Sequence, residues 1–177
     1  ASASMVISVK NSGSPLFYVG RQLLIGGGVG TVLFLAAFFT PYKKLKKLAL
    51  PGMILSFFTL AVLFIPELGY SWGGARRWLL LGPISFQPSE FLKLAFVIYL
   101  ASWLDARRHD IPSVSYGMIP FAVMLSIVGM FLIMQPDIGT LGVIAISAVL
   151  LYFLGGGKKS QIVTLGILGL SLLYVLI

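Results

Sequence analysis

The chain has 177 residues, of which 58% are hydrophobic and 10% are charged, and its mean hydropathy is +1.00. These values exclude an ordinary soluble domain and indicate a polytopic membrane protein with room for about five or six spans of about 20 residues each. Long unbroken apolar runs exclude a closed barrel, whose strands alternate apolar and polar side chains, so we expect an all-α transmembrane bundle.

The net charge of +8 comes from basic residues that concentrate in short segments between the apolar runs. Eight of the 13 Lys and Arg residues lie in three such segments, with four in 43–47, two in 107–108 and two in 158–159. This pattern is typical of cytoplasmic loops under the positive-inside rule, and it argues against a nucleic-acid partner. The chain has no cysteine and one histidine, His109, so neither a disulfide nor a Cys or His metal cluster is expected.

The predicted elements begin with a polar segment, residues 1–21, that we expect to be an outer loop. Because the chain opens without Met and stops within an apolar run, we expect 1–177 to be a fragment of one transmembrane domain. It would hold about five complete spans and a truncated sixth. The predicted spans are 22–40, 49–65, 88–104, 116–134, 138–154 and 162–177. A lysine-rich cytoplasmic loop is predicted at 41–47, between the first two spans.

The segment 74–93, which follows the second predicted span, carries an unusual density of polar side chains. Charged groups are costly to hold near hydrocarbon, so their density here predicts a functional site. The topology places this segment on the outer face, where positive charge is disfavoured unless a ligand uses it. The segment includes Arg76, Arg77, Trp78, Gln87, Ser89, Glu90 and Lys93.

Arg76 and Arg77 suit phosphate because a guanidinium group can donate two parallel hydrogen bonds. We predict that both bind an anionic headgroup or a pyrophosphate, with Gln87 as a further substrate-binding residue. The alternative is that the arginines reach the membrane interface beside Trp72 and Trp78, which would be ordinary interfacial residues. The pattern leaves both interpretations open.

Glu90 and Lys93 stand at the start of the third predicted span, where Ser89 is the expected helix cap. Their spacing puts both on one helix face, close enough to pair. They would either lock the structure or line a polar cavity. In the second case, Lys93 binds substrate and Glu90 is a candidate catalytic residue.

Asp137 lies between the fourth and fifth predicted spans, directly after Pro136. Its carboxylate can cap the following helix. It can instead hold a divalent cation or act as an acid or base on an outer-facing substrate, which makes it a candidate catalytic residue. Topology places Asp137 on the same outer side as Arg77 and Glu90. A mixed-charge outer cavity of this kind fits a polyphosphate-linked substrate.

Three motifs in order, Gly74–Trp78, Phe86–Lys93 and Gln135–Thr140, resemble the SEDS family of FtsW, RodA and SpoVE proteins. The resemblance extends over essentially the whole chain, and residues 98–101 look more like the FtsW and SpoVE branch. It implies a multi-pass peptidoglycan glycosyltransferase of the bacterial cytoplasmic membrane, which polymerises lipid II on the outer face for cell division or cell shape. The implied partners are lipid II, a class B penicillin-binding transpeptidase and membrane lipids.

By motif position, the resemblance gives cavity roles to Arg77, Glu90, Lys93 and Asp137. It implies that a sugar hydroxyl attacks an anomeric carbon and displaces a lipid pyrophosphate. Arg77 and Lys93 would offset the charge of this leaving group, with or without a divalent cation such as Mg²⁺ or Mn²⁺ that Asp137 or Glu90 would orient. The family's principal catalytic aspartate lies in a large outer loop beyond the last segment here, so we expect the fragment to be inactive alone.

Two other functions would use the same residues. A flippase that moves the lipid-linked precursor must also bind the pyrophosphate, and a scaffold would recruit the transpeptidase. Alternating-access carriers tend to show repeated halves and helices broken at the midplane, whereas the charges of this chain gather at one face. The glycosyltransferase is favoured mainly through the resemblance, with the flippase as the alternative.

Overall fold

The computed structural model describes residues 20, 22–65, 69–72, 75–81 and 84–176. These residues form two units, one ending at Leu45 and the other beginning at Lys46. The predicted outer loop, residues 1–21, lies outside the described residues except for Gly20.

In the first unit, a π-helical segment, Gln22–Gly27, continues into helix α1, Gly28–Phe39. None of the described side chains of α1 is buried. The hydroxyl of Thr31 donates to the carbonyl of Gly27 at 2.8 Å, so this polar group is satisfied inside the helix. An apolar helix of this kind suits a hydrocarbon environment, where hydroxyls must find partners within the protein.

Helix α2, Tyr42–Val62, starts earlier than predicted. The expected loop at 41–47 is wrong over most of its length, because Lys43, Lys44, Lys46 and Lys47 lie in the first two turns of α2. Lysine is a good helix former, so the helix extends past the apolar segment instead of ending with it. The helix has 21 residues and includes Pro51.

A three-stranded antiparallel sheet follows, formed by β1 (Gly69–Trp72), β2 (Ala75–Leu81) and β3 (Ile84–Phe86) in the order β1-β2-β3. The prediction of an all-α fold did not include it. Residues 75–81 contain three consecutive leucines and show no alternation of apolar and polar residues, so the period-two signal of a strand is missing. The Gly73-Gly74 and Gly82-Pro83 pairs are the turn signals that the sequence does contain.

The remaining helices are α3 (Pro88–Ala106), α4 (Ile119–Met134), α5 (Ile138–Leu154) and α6 (Lys159–Leu176), with a π-helical turn at Val114–Met118 before α4. Each lies within about three residues of a predicted span. The segments Tyr42–Val62 and Val114–Met134 are long and apolar enough to cross a membrane by length and composition, and Gly28–Phe39 and Ile138–Leu154 are shorter apolar helices.

The core of the second unit lies where α5 packs against α3 and α4. Its largest fully buried side chains include Phe96, Leu100, Phe121, Leu132 and Ile144. Many large apolar side chains of the same helices are exposed, which is the distribution expected of helices that face lipid.

A hydrogen-bonded network closes the end of the bundle where α5 meets α6. Tyr152 Oη donates to the carbonyl of Ile111 at 3.0 Å and lies 3.2 Å from Gln161 Oε1. The Gln161 amide also accepts from Lys158 N–H at 3.0 Å and donates to the carbonyl of Pro112 at 3.2 Å. We call Tyr152, Gln161 and the backbone groups that they contact the closing network. It ties the 111–112 turn to both helices.

Candidate functional site

A second group of polar residues lies at the opposite end of α5, where this helix begins. It brings together β2, the first turn of α3 and the turn between α4 and α5. We call it the polar cluster, and its side chains are Arg77, Gln87, Ser89, Gln135 and Asp137.

Arg77 projects from β2 to the turn between α4 and α5 and is half-buried. Its Nε donates to the carbonyl of Gln135 at 3.5 Å, and a terminal nitrogen donates to the carbonyl of Pro136. These carbonyls follow the C-terminus of α4, where the helix dipole favours a cation. A guanidinium has five N–H groups, and the others on Arg77 have no hydrogen-bond partner among the described residues. Arg77 therefore holds the turn between α4 and α5 through two of its donors.

Asp137 is the N-cap of α5 and is only 5% exposed. Its Oδ1 accepts from the Thr140 backbone N–H at 3.4 Å, and its Oδ2 accepts from Ser89 Oγ at 3.1 Å. Of the roles that the sequence left open for this carboxylate, the structure shows that of helix cap. The positive end of the helix dipole and the two donated hydrogen bonds stabilise the buried carboxylate.

The expectation that Ser89 caps α3 is wrong. The N-cap is Gln87, and Pro88 takes the first helical position, where its fixed φ and missing N–H are tolerated. Ser89 is instead 1% exposed and directs its hydroxyl to Asp137, while Gln87 Nε2 donates to Ser89 Oγ at 3.0 Å. A chain of hydrogen bonds thus runs from Gln87 through Ser89 to Asp137 and connects the starts of α3 and α5.

Gln135 was not singled out as a site residue by the sequence, although it belongs to one of the three motifs. Its side chain is 3% exposed, and neither Nε2 nor Oε1 has a hydrogen-bond partner among the described residues. A buried amide without partners costs about 1–3 kcal/mol in protein mutational data. The backbone carbonyl of Gln135 accepts from Arg77, so the two residues are neighbours in the polar cluster.

The predicted pair of Glu90 and Lys93 is present, with Nζ and Oε1 2.8 Å apart. The Glu90 side chain is 57% exposed and the Lys93 side chain 27%, so the pair contributes little to stability. Within the described part of the chain, no hydrogen bond or ion pair joins it to the polar cluster. Arg76 lies on β2, and its side chain is outside the described part.

The described residues contain no group of three or more His, Cys, Asp or Glu side chains that could hold a metal ion. The polar cluster offers one carboxylate, Asp137, whose two oxygens already accept hydrogen bonds. Mg²⁺ commonly binds through one or two carboxylates together with substrate phosphates and water. A divalent cation at this site would therefore depend on phosphate groups brought by the substrate.

Comparisons with known proteins place these features in a family context. The family model of FtsW, RodA and SpoVE, described as "Cell cycle protein", matches residues 1–177. The probable peptidoglycan glycosyltransferase FtsW of Geobacter sulfurreducens is 32% identical over 179 residues, which cover 99% of this chain and 47% of that protein. Stage V sporulation protein E of Bacillus subtilis is 31% identical over 170 residues, covering 96% and 46%.

Solved structures give the same result for the fold. The crystal structure of the rod shape determining protein RodA of Thermus thermophilus matches with a TM-score of 0.65 and 31% identity, covering 81% of this chain and 46% of that one. A structure described as a peptidoglycan synthase complex that coordinates polymerization and crosslinking matches with a TM-score of 0.73 and 29% identity, covering 96% and 50%. The chain thus spans about half the length of the relatives that it matches.

Proposed function

The chain belongs to the FtsW, RodA and SpoVE family, and from this premise we propose that the whole protein is a peptidoglycan glycosyltransferase. The observation that carries the proposal is the family match over every residue of the chain, together with relatives named as peptidoglycan glycosyltransferases. The prediction of the SEDS family is confirmed, as is that of a polytopic helical fold. The assignment to the FtsW and SpoVE branch stays a prediction.

The proposed substrate is lipid II, whose pyrophosphate matches the chemistry of Arg77. Two of the donors of this guanidinium hold carbonyls of the α4–α5 turn, which fixes the orientation of the group. The other N–H groups can then meet the negative charge that develops on the departing pyrophosphate. A donor fixed in advance stabilises such charge more effectively than a mobile one, because it does not have to reorganise. Arg76, Gln87 and Lys93 are proposed as further substrate contacts.

We propose that Asp137 acts mainly by positioning. Its two oxygens join Ser89 on α3 to the first turn of α5, next to the turn that Arg77 contacts. Both oxygens therefore hold neighbouring segments in place, which supports a positioning role. Asp137 and the exposed Glu90 remain the candidate acids for orienting a divalent cation, Mg²⁺ or Mn²⁺, which would offset phosphate charge when bound.

Gln135 is added to these residues as a substrate contact that the sequence did not predict. Buried polar groups without partners are rare in native proteins, and each calls for an explanation such as a functional role. Its backbone carbonyl contacts Arg77, and we propose that a polar group of the substrate supplies the hydrogen bonds that its amide lacks among the described residues.

We further propose that the whole protein is a multi-pass protein of the bacterial cytoplasmic membrane and works with a class B penicillin-binding transpeptidase. Supporting this, the solved structure with a TM-score of 0.73 is described as a synthase complex that coordinates polymerization and crosslinking. The basic segments 43–47, 107–108 and 158–159 support an orientation with the polar cluster on the outer side.

The test is polymerisation of labelled lipid II by the purified whole protein, with the transpeptidase and a divalent cation supplied and the products resolved on a gel. Arg77→Ala should lower the rate by about 100-fold, the usual effect of removing one donor to a developing negative charge. Arg108→Ala, which removes an exposed arginine near the other end of the bundle, is the matched control and should polymerise normally.

Melting temperatures of both variants separate a lost contact from a lost fold. If Arg77→Ala makes the full ladder of glycan products, Arg77 does not belong to the site, but the proposal of a glycosyltransferase still holds. No ladder from the unaltered protein would contradict the glycosyltransferase itself. The same preparation would then be tested for translocation of the lipid-linked precursor in liposomes, which is what a flippase would catalyse.

A further inference from the structure

A groove between α2 and α3 lies far along both helices from the polar cluster, at the end where the basic segments 46–47 and 107–108 meet. Its volume is about 210 Å³, and none of its residues belongs to the polar cluster. The groove is lined by Lys46, Ala49, Leu50, Tyr99, Ser102 and Trp103.

The floor of the groove is apolar in character. Ala49 is 4% exposed, and Trp103 and Tyr99 are half-buried. The Ser102 hydroxyl donates to the carbonyl of Ile98 at 2.8 Å within α3, so its proton is already used. A ligand that lies along this floor gains mainly from burial of hydrocarbon, as an acyl chain would.

Two cations flank this floor. Lys46 lines the groove, and its Nζ donates to Asp105 at 2.7 Å, which uses one of three N–H groups. Arg107 holds its guanidinium over the Trp103 ring, with 5.9 Å between the guanidinium carbon and the ring centroid. Lys47 and Arg108 are exposed next to these residues. With Asp105 as the acid paired to Lys46, the rim is positively charged.

We propose that this groove binds an anionic phospholipid of the cytoplasmic leaflet. Lys46 and Arg107 engage the phosphate headgroup, and an acyl chain lies along Ala49 and Trp103. The positive-inside rule puts these basic residues at the cytoplasmic surface, where anionic lipids are attracted to basic sites beside spanning helices. A free phosphate ion would meet the same cations but would leave the apolar floor unused. The proposal is independent of the glycosyltransferase activity.

Trp103 provides the measurement, because lipids with brominated acyl chains quench tryptophan fluorescence on contact. The whole protein is reconstituted in phosphatidylcholine bilayers to which brominated phosphatidylglycerol or brominated phosphatidylcholine is added. Trp103→Phe defines the part of the quenching that belongs to this tryptophan. Because one basic residue near a lipid phosphate contributes about 1 kcal/mol, or about fivefold, we expect half-maximal quenching at about five- to tenfold less phosphatidylglycerol than phosphatidylcholine.

Charge-removing variants identify the cations responsible. Lys46→Gln combined with Arg107→Gln should reduce the preference to less than about twofold, while Lys46→Arg should retain it. Lys158→Gln combined with Lys159→Gln removes the same charge from another basic segment and is the matched control, which should keep the full preference. All these positions are exposed, so the variants are expected to fold.

Three results would overturn the proposal. Equal quenching by the two lipids would show that the groove does not select an anionic headgroup. Loss of the preference on addition of inorganic phosphate would assign the cations to a free anion. Absence of quenching at Trp103 by either lipid would show that the groove is covered by protein.

Discussion

A buried glutamine lies near each end of α5, and the two differ in their hydrogen bonding. Gln161 in the closing network is 4% exposed, and its amide accepts from Lys158 N–H and donates to the carbonyl of Pro112. Gln135 in the polar cluster is 3% exposed, and neither of its amide atoms has a partner within the described ranges. Burial is therefore equal, and only the hydrogen bonding differs.

This difference is the basis on which we propose that one site is structural and the other functional. A satisfied buried network stabilises the fold and orients the segments that it joins. A buried amide without partners lowers stability, so its presence requires another benefit. Arg77 follows the same pattern, since three of its five N–H groups have no hydrogen-bond partner among the described residues. The closing network accounts for one end of the bundle by packing alone, whereas a ligand at the polar cluster is part of the function that we propose.

The substitution Gly157→Ala should disrupt the closing network, and we expect it to reduce stability more than the other substitutions in this series. A Cβ at this position would lie 2.4 Å from the buried Tyr152 ring and 2.9 Å from the Tyr152 carbonyl, so the ring has to move. We expect a loss of about 1–3 kcal/mol of unfolding free energy, as for other overpacked sites.

The measurement is thermal unfolding in detergent, with Gly166→Ala as control because a Cβ there meets no atom within 4 Å. If Gly157→Ala has the same melting temperature as the control, this end of the bundle is loosely packed.

Asp137→Asn sharpens the comparison by changing charge and little else in the polar cluster. Asparagine is as good an N-cap as aspartate, so stability should fall by no more than about 1 kcal/mol, from the lost charge at the helix N-terminus. Polymerisation of lipid II by the whole protein should fall by about tenfold, because the Ser89 contact that positions the start of α3 loses its charged acceptor. Asp110→Asn, at an exposed aspartate, is the control. Unchanged polymerisation would leave Asp137 as a cap without a role in the site.

The smallest expected effect is a pH dependence of stability that arises from the exposed pair of Lys46 and Asp105. The hydrogen bond from Lys46 and the charges of Lys46 and Arg108 lower the pKa of Asp105 below its ordinary value of 3.8, despite a small opposing effect of burial. A lowered pKa means that the stabilisation is present above about pH 4 and is lost as the pH falls through the folded-state pKa.

The comparison of Lys46→Gln with the unaltered protein checks this sign. The difference in melting temperature should be small, should be present near neutral pH and should shrink below about pH 4. It should also decrease with added salt, because both side chains are exposed. A difference that grows as the pH falls would contradict the assignment.

Much of this architecture follows from the sequence because long apolar runs are strong signals. The helix at Ile138–Leu154 has the predicted bounds, and the spacing of Glu90 and Lys93 predicted their ion pair. The capping role of Asp137 was one of two alternatives, and it follows from a carboxylate placed directly before a helix start.

Other features could not be predicted because they depend on tertiary contacts. The strand at Ala75–Leu81 has no alternating pattern, and its pairing with β1 and β3 is a tertiary contact. The hydroxyl of Ser89 reaches Asp137, 48 residues away along the chain, so local capping rules do not apply. That the Gln135 amide has no partner among the described residues depends on its surroundings, and the sequence carries no signal for it.

The most direct test of the account compares Gln135→Leu with Gln161→Leu in the whole protein, by thermal unfolding and by lipid II polymerisation per folded molecule. Gln161→Leu should lose about 1–3 kcal/mol of unfolding free energy, because its buried partners are left without hydrogen bonds. Its turnover should not change. Gln135→Leu should keep or gain stability and lose about tenfold or more in turnover, the value of one hydrogen bond to the substrate. If instead Gln135→Leu is destabilised as strongly as Gln161→Leu and polymerises normally, the polar cluster is structural, and the distinction between the two ends fails.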